Sequence, residues 1–304
     1  MASVALPAIL PACSTAGMPM LNPIGTVASA QLELLMWSTL IMLSIIVPVI
    51  MGTLWIVWHY RSTSGKATYD PEFRESKFLH GVTLFAPLVI IIALGGLNWV
   101  YTHRLDPYRP VDAEERPFEI QAVSLDYKWL FIYPDAGVAT VNELVAPVDE
   151  PVTIRITSDP MMTALFIPGL TSQIYAMPGM ETRANFHADR EGVLDGANAM
   201  FSGPGFENQR FETRLLGREK FDNWIRSMGA GSASLPDDAE VKEVKNEPLL
   251  DMAGYRKLAE RTQGYPLTHF ASVETGLFAK IVRLFDPGYS MNPLPSTAEY
   301  DGGN

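Results

Sequence analysis

Met161-Met162-Thr163-Ala164-Leu165-Phe166-Ile167-Pro168-Gly169-Leu170 continues through Ser172-Gln173-Ile174-Tyr175-Ala176-Met177-Pro178-Gly179-Met180. A second stretch answers it: Asp195-Gly196-Ala197-Asn198-Ala199-Met200-Phe201-Ser202-Gly203-Pro204-Gly205-Phe206. Pro-Gly pairs punctuate both, and strands are sought in the residues around them. The flanking residues supply those strands. Phe118 to Ser124 and Val152 to Thr157 alternate with period two, and Tyr127 to Tyr133 is an aromatic-rich run closed by Pro134-Asp135-Ala136-Gly137. Ala184 to His187 and Phe211 to Leu215 are further candidates. Short strands separated by Pro and Gly predict a β-sandwich over about 115–216.

Upstream of the sandwich the chain changes character. Leu34 to Trp58 is 25 residues without a charge. As helix it would be about 37 Å long, enough to cross a hydrocarbon core of about 30 Å. Trp55, Trp58 and Tyr60 crowd its end, as interfacial aromatics do. Gly81 to Thr102 is a second charge-poor run, and each run contains a proline, Pro48 and Pro87. Residues 32–103 are therefore expected as a transmembrane helical hairpin. No Lys or Arg precedes Arg61, whereas Arg61, Lys66, Arg74 and Lys77 cluster about the linker. The positive-inside bias makes that linker cytoplasmic and puts the β-domain on the other side, in the periplasm of a bacterial inner membrane.

Charge segregates with the same boundary. Of 34 acidic and 23 basic residues, 30 and 19 lie from position 103 onward, so the extramembrane portion carries the whole net charge of −11. Such a domain repels nucleic acid. The single cysteine, Cys13, excludes an internal disulfide framework and a thiolate metal site in the large domain. Residues 1–31 read as a leader and N-terminal segment. Leu10-Pro11-Ala12-Cys13 resembles a lipoprotein cleavage site, which would make Cys13 the lipidated N-terminus. An ordinary free thiol is the alternative. Beyond Gly217, residues 217–286 read as helical, with candidates at 218–228, 249–263 and 273–285, and 287–304 read as a disordered tail.

Two spans followed by an extramembrane β-sandwich resemble subunit II of the haem-copper oxidases. Local features agree: Asp126-Tyr127-Lys128-Trp129-Leu130-Phe131-Ile132-Tyr133-Pro134, Ala139-Thr140-Val141-Asn142-Glu143, Phe166-Ile167-Pro168 and Ser202-Gly203-Pro204-Gly205-Phe206. The set is similar to the bo-type ubiquinol oxidase branch. The resemblance implies a cupredoxin-like sandwich whose two loops hold a dinuclear copper centre in the cytochrome c oxidase relatives. By that resemblance, Thr163 stands at a histidine position, Asn198 and Ser202 at the thiolate positions, and Met200 at a glutamate position. Phe206 and Gln209 stand at the final histidine and methionine positions.

Soft thiolates and imidazoles suit such a centre; hard amide and hydroxyl oxygens, a phenyl ring and a lone thioether do not. No metal or other cofactor is therefore expected on this chain. His187 is in the sandwich, and His103 and His269 are placed outside it. Trp129, Phe166 and Tyr175 are expected as packed core aromatics. The resemblance further implies haems and one copper in a partner subunit I, and ubiquinol delivering electrons through the membrane. It also places His80 where the family often carries a glutamate near the mouth of a proton channel. An imidazole can relay protons there; the alternative is an interfacial anchor. The expected function is that of a structural, copper-less subunit of a proton-translocating ubiquinol oxidase. The rivals are a cytochrome c oxidase subunit II and a membrane-tethered sandwich that binds a partner or assists assembly.

Overall fold

The computed structural model describes residues 19–61, 76–107, 109, 116–231, 244–292 and 294. Cys13, most of the basic linker and the residues from 295 onward lie outside that set. The chain forms two compact units, one of Ala30–Asp106, the other of Met1–Ser29 with Pro107–Asn304.

The first unit is built on α1 (Thr26–His59) and α2 (Lys77–Arg104), with Pro48 and Pro87 inside them. Both helices are long and apolar enough to cross a membrane, and their most apolar windows are unburied by the rest of the protein. A helix apolar on every face finds no aqueous side, so lipid or partner helices are its natural surroundings. Inside this apolar stretch Ser38, Ser44 and Thr53 donate their hydroxyls to carbonyls three or four residues back, which removes exposed polar groups.

The second unit is a two-sheet sandwich. Its strands are β1 (Phe118–Leu125), β2 (Lys128–Tyr133), β3 (Val138–Val141), β4 (Glu143–Pro147), β5 (Pro151–Ser158) and β6 (Thr163–Phe166). They continue with β7 (Ile174–Ala176), β8 (Thr182–His187), β9 (Gly192–Asn198), β10 (Arg210–Leu216), β11 (Lys245–Glu247) and β12 (Thr268–Phe270). One sheet has the order β11-β12-β3-β2-β1-β5-β8 and the other β4-β10-β9-β6-β7. β1 runs parallel to β5 and β10 parallel to β4; β1 with β2 and β9 with β10 are antiparallel. Helices α3 (Arg218–Gly229), α4 (Met252–Ala259) and α5 (Leu277–Arg283) follow.

Two cores explain which strands were legible. Between the sheets, Ile120, Ala122, Trp129, Phe131, Ile154 and Ile156 meet Leu165, Phe211 and the α3 face of Phe221, Trp224 and Met228. On the outer face of the larger sheet, Val123, Leu125, Leu130 and Ile132 meet Tyr255, Leu258, Phe278 and Ile281 from α4 and α5. With both faces of the larger sheet covered, β2, β3 and β5 are buried at every position. Each fully buried Leu, Ile or Phe contributes about 1.5–3 kcal/mol by leaving water.

The structure corrects four expectations. The stretches taken as loops contain β6, β7 and the end of β9. The residues from 217 onward do not form a separate helical region: β11 and β12 extend the larger sheet, and α4 and α5 cover it. His269 lies inside the sandwich, on β12, paired with Thr140 of β3. The disordered tail cannot begin at 287, because Tyr289 and Met291 pack on the outer core and Arg155 donates to the Asn292 carbonyl at 2.8 Å.

The segment before α1 is also structural. Ile24 donates to the Gly169 carbonyl at 2.8 Å and its own carbonyl accepts from Asp189. Gly25 permits this close approach, since a Cβ there would stand 2.9 Å from the Leu170 carbonyl oxygen.

Candidate functional site

β6 and β9 lie side by side, with Leu165 opposite Asn198. The chain leaves β9 at Asn198 and turns through Phe206–Asn208, a single 3-10 turn, before entering β10. This return brings Gln209 back beside Asn198, whose backbone N–H donates to the Gln209 carbonyl at 3.0 Å. The Asn198 side chain is buried and fully engaged. Its Oδ1 accepts from the backbone N–H groups of Ala164 at 3.0 Å and Met200 at 2.9 Å. Its Nδ2 donates to Ser202 Oγ at 3.1 Å and Gln209 Oε1 at 2.9 Å. Gln209 Nε2 donates onward to Ser124 Oγ at 2.8 Å and the Leu125 carbonyl at 3.0 Å.

Asn198, Ser202 and Gln209 are thus joined in one neutral network. Met200 reaches it through its backbone N–H alone. Phe206 turns its ring edge-on to Phe201, 5.2 Å between centroids. Thr163 is buried, and its Oγ1 has no hydrogen-bond partner. Among the core aromatics expected, Trp129 is sealed, but Tyr175 is 49% exposed on the edge strand β7, which has no neighbour on its outer side. His80 lies in the first turn of α2, at an exposed position.

These residues do not fit a dinuclear copper centre. The amide of Asn198 has two donors and two lone-pair directions, and protein groups occupy all four. A metal would have to break those bonds to gain hard, neutral oxygen ligands. Among the described residues no group of three or more His, Cys, Asp or Glu is placed to hold a metal ion.

A strap from the C-terminal segment covers this end. Lys128 Nζ donates to the Glu260 carbonyl at 2.7 Å and lies 5.0 Å from the Tyr265 ring centroid. Burial pushes the Lys128 ammonium below its ordinary pKa, while Asp126 and Glu260 oppose the shift. Arg261 donates to Tyr127 Oη at 2.7 Å, and Gln263 Nε2 to the Pro204 carbonyl at 3.3 Å. Gly205 makes room for that contact: at φ +100° a Cβ would stand 2.2 Å from Gln263 Nε2.

A second polar cluster was not anticipated. Glu143, wholly buried on β4, accepts from Arg214 Nε at 3.0 Å and pairs with His269 Nε2 at 2.6 Å. Arg214 also pairs with Glu212. The only signal in the sequence was a carboxylate inside Ala139–Glu143, followed by an apolar run; nothing linked it to a histidine 126 positions away.

The chain is 41% identical over 269 residues to the cytochrome bo(3) ubiquinol oxidase subunit 2 of Pseudomonas aeruginosa, covering 88% of this chain and 77% of that one. The chain belongs to the ubiquinol oxidase subunit 2 family. Ubiquinol oxidase subunit 2 of Acetobacter aceti is 36% identical over 90% of this chain and 84% of its own length. The family model described as the COX aromatic rich motif matches residues 245–286, which span β11 through α5. Among solved structures, the periplasmic domain of subunit II of cytochrome oxidase (CoxB) of Bradyrhizobium japonicum shares 20% identity over 38% of this chain and 96% of that one, at a TM-score of 0.36. In this chain two apolar helices precede the sandwich, and Thr163, Asn198 and Ser202 offer neither thiolate nor imidazole to a metal.

Proposed function

We propose that this ubiquinol oxidase subunit II is a non-catalytic part of a proton-translocating complex. Ubiquinol would be oxidised and oxygen reduced to water in a partner subunit I, which would carry the haems and a single copper. The hairpin would brace that subunit within the bacterial inner membrane, and the sandwich would cap it from the periplasm. The observation that carries this reading is the saturated amide of Asn198, bonded to Ala164, Met200, Ser202 and Gln209. An electron port needs a metal with donor atoms to spare, and here they are spent on the protein itself. Thr163, Asn198, Met200, Ser202, Phe206 and Gln209 are read as the degenerate copper positions. Electrons would therefore bypass the sandwich.

Two finer assignments belong to the same reading. Cys13 would carry the lipid that fixes the N-terminus to the membrane. His80, at the start of α2, would sit where protons enter from the cytoplasmic side.

Purification from detergent-solubilised membranes tests the proposal. The chain should copurify with a multispan haem protein and with quinol-dependent oxygen uptake. Metal analysis of the separated chain should find no copper, and no near-infrared copper band should appear. Stoichiometric copper on this chain, or reduction of its isolated extramembrane portion by a soluble haem protein, would overturn the reading. Recovery of the chain without haem or oxygen uptake would favour the tethered binding protein instead.

A further inference from the structure

The end of the sandwich interior beside the degenerate positions holds polar atoms that the protein does not satisfy. Along β1, Ile120, Ala122 and Ser124 fall on one face, and along β5, Ile154, Ile156 and Ser158 do the same. The apolar members of both sets belong to the core between the sheets. Ser124 and Ser158 are register partners, so both look into that core at its end. On β6, Thr163 shares a face with Leu165, another member of the core, and Leu165 stands opposite Asn198. Ser158 Oγ and Thr163 Oγ1 are sealed from solvent, at 0% and 3% exposure, and neither has a hydrogen-bond partner. Trp129, opposite Ser124 on β2, adds a third such atom, its indole Nε1.

The neighbouring Asn198 amide and the Gln209 Nε2 group are already committed elsewhere. Asn198 uses both donors and both acceptor directions, and the two N–H groups of Gln209 Nε2 already face Ser124 Oγ, the Leu125 carbonyl and the Lys128 carbonyl. What the three orphans require is small, neutral, and able both to donate and to accept. Two hydroxyls and an indole N–H offer no charge to hold an ion. Water meets the requirement, since a buried water forms two to four such bonds.

We propose that the degenerate copper end of the sandwich is a built site for internal water, held by Thr163 Oγ1 and Ser158 Oγ with Trp129 Nε1 as a further donor. The water replaces no metal chemistry; it completes the hydrogen bonding of the orphaned hydroxyls beside a saturated Asn198 amide.

A structure of the intact oxidase complex, at a resolution that shows ordered water, should place a density peak within hydrogen-bond distance of both Thr163 Oγ1 and Ser158 Oγ. Continuous side-chain packing between those atoms, with no such peak, overturns the proposal. Thermal unfolding of the full chain in detergent gives an independent sign. Thr163→Val and Ser158→Ala should each lower Tm by about 2–4 °C, the shift expected from losing one net hydrogen bond in a domain of this size. Thr163→Ser, which keeps the hydroxyl, should lie closer to the parent than Thr163→Val. A rise in Tm for Thr163→Val and Ser158→Ala would mean that the hydroxyls were unsatisfied, and the site dry.

Discussion

Two of the buried polar clusters in the sandwich are opposite in kind. The Asn198–Ser202–Gln209 network is neutral, is centred on the β9–β10 return and reaches Ala164 on β6 and Ser124 on β1, because an amide both donates and accepts. The Glu143–Arg214–His269 cluster is ionic and joins strands far apart in the chain, with β12 held to β4 across 126 positions. The difference teaches what each group of residues can be asked to do. The neutral network ties β6, β9 and β10 together without needing a charge to be balanced. The ionic cluster fastens the aromatic-rich C-terminal segment to the sandwich, at the desolvation cost that buried ions always carry.

That contrast can be broken most sharply at Glu143. Glu143→Ala leaves Arg214 and His269 without their shared carboxylate in a sealed site. It should cost about 3–5 kcal/mol in denaturant unfolding of the full chain in detergent. A loss under about 1 kcal/mol would mean the cluster is not the fastening described. A double-mutant cycle with Glu143→Gln and His269→Gln should show coupling within the range of about 0.5–3 kcal/mol found for contacting residues.

The neutral network should respond less. Asn198→Leu keeps the volume but strips the acceptor from the Ala164 and Met200 N–H groups. The expected cost is on the order of 3 kcal/mol, given about 1–3 kcal/mol for each buried donor left unmade. Copper uptake by Asn198→Leu should equal that of the parent protein, since the change adds no ligand.

A smaller effect is expected at the strap. Arg261→Ala removes the bond to Tyr127 Oη and the cation–π contact at 5.2 Å. Stability should fall by about 1 kcal/mol. Amide hydrogen exchange at residues 203–206 should quicken while exchange in β1 and β2 stays unchanged. Uniform quickening throughout the sandwich would show that the strap is not a local cover.

The smallest effect is at the surface. The Lys280 ammonium and then the Met252 N–H hold the Glu274 carboxyl below its ordinary value of 4.5. A depressed carboxylate stabilises the fold above the unfolded pKa, and that contribution disappears as pH falls through the folded pKa. Glu274→Gln should therefore flatten the acid limb of the stability curve below about pH 4.5 and leave its alkaline limb alone. An unchanged acid limb would refute the linkage.

How much was readable in advance follows from which faces each element buries. The five strands recognised early, around 118–125, 128–133, 151–158, 182–187 and 210–216, carry alternation or aromatic runs. Val138–Val141 and Glu143–Pro147 were missed because they are only four and five residues long and carry neither a sustained alternation nor an aromatic run. β6 and β7 were missed because Pro168-Gly169 and Pro178-Gly179 sit just beyond them and mask three- and four-residue strands. Among the degenerate positions, the chemistry of each residue was legible, yet the bonds joining Asn198 to Gln209 were not. Phe206 and Met200 share that linear spacing but do not put their side chains into the network.

The sequence by itself determined the two apolar helices, the sandwich and the absence of thiolates from it. Each of these depends on composition or on a period along the chain, and neither needs a partner to be known. Only the tertiary structure decided that the C-terminal segment completes the larger sheet, that His269 meets Glu143, and that Asn198 is saturated. Those outcomes depend on groups distant in sequence arriving at hydrogen-bond range, and a linear pattern carries no record of distance through space.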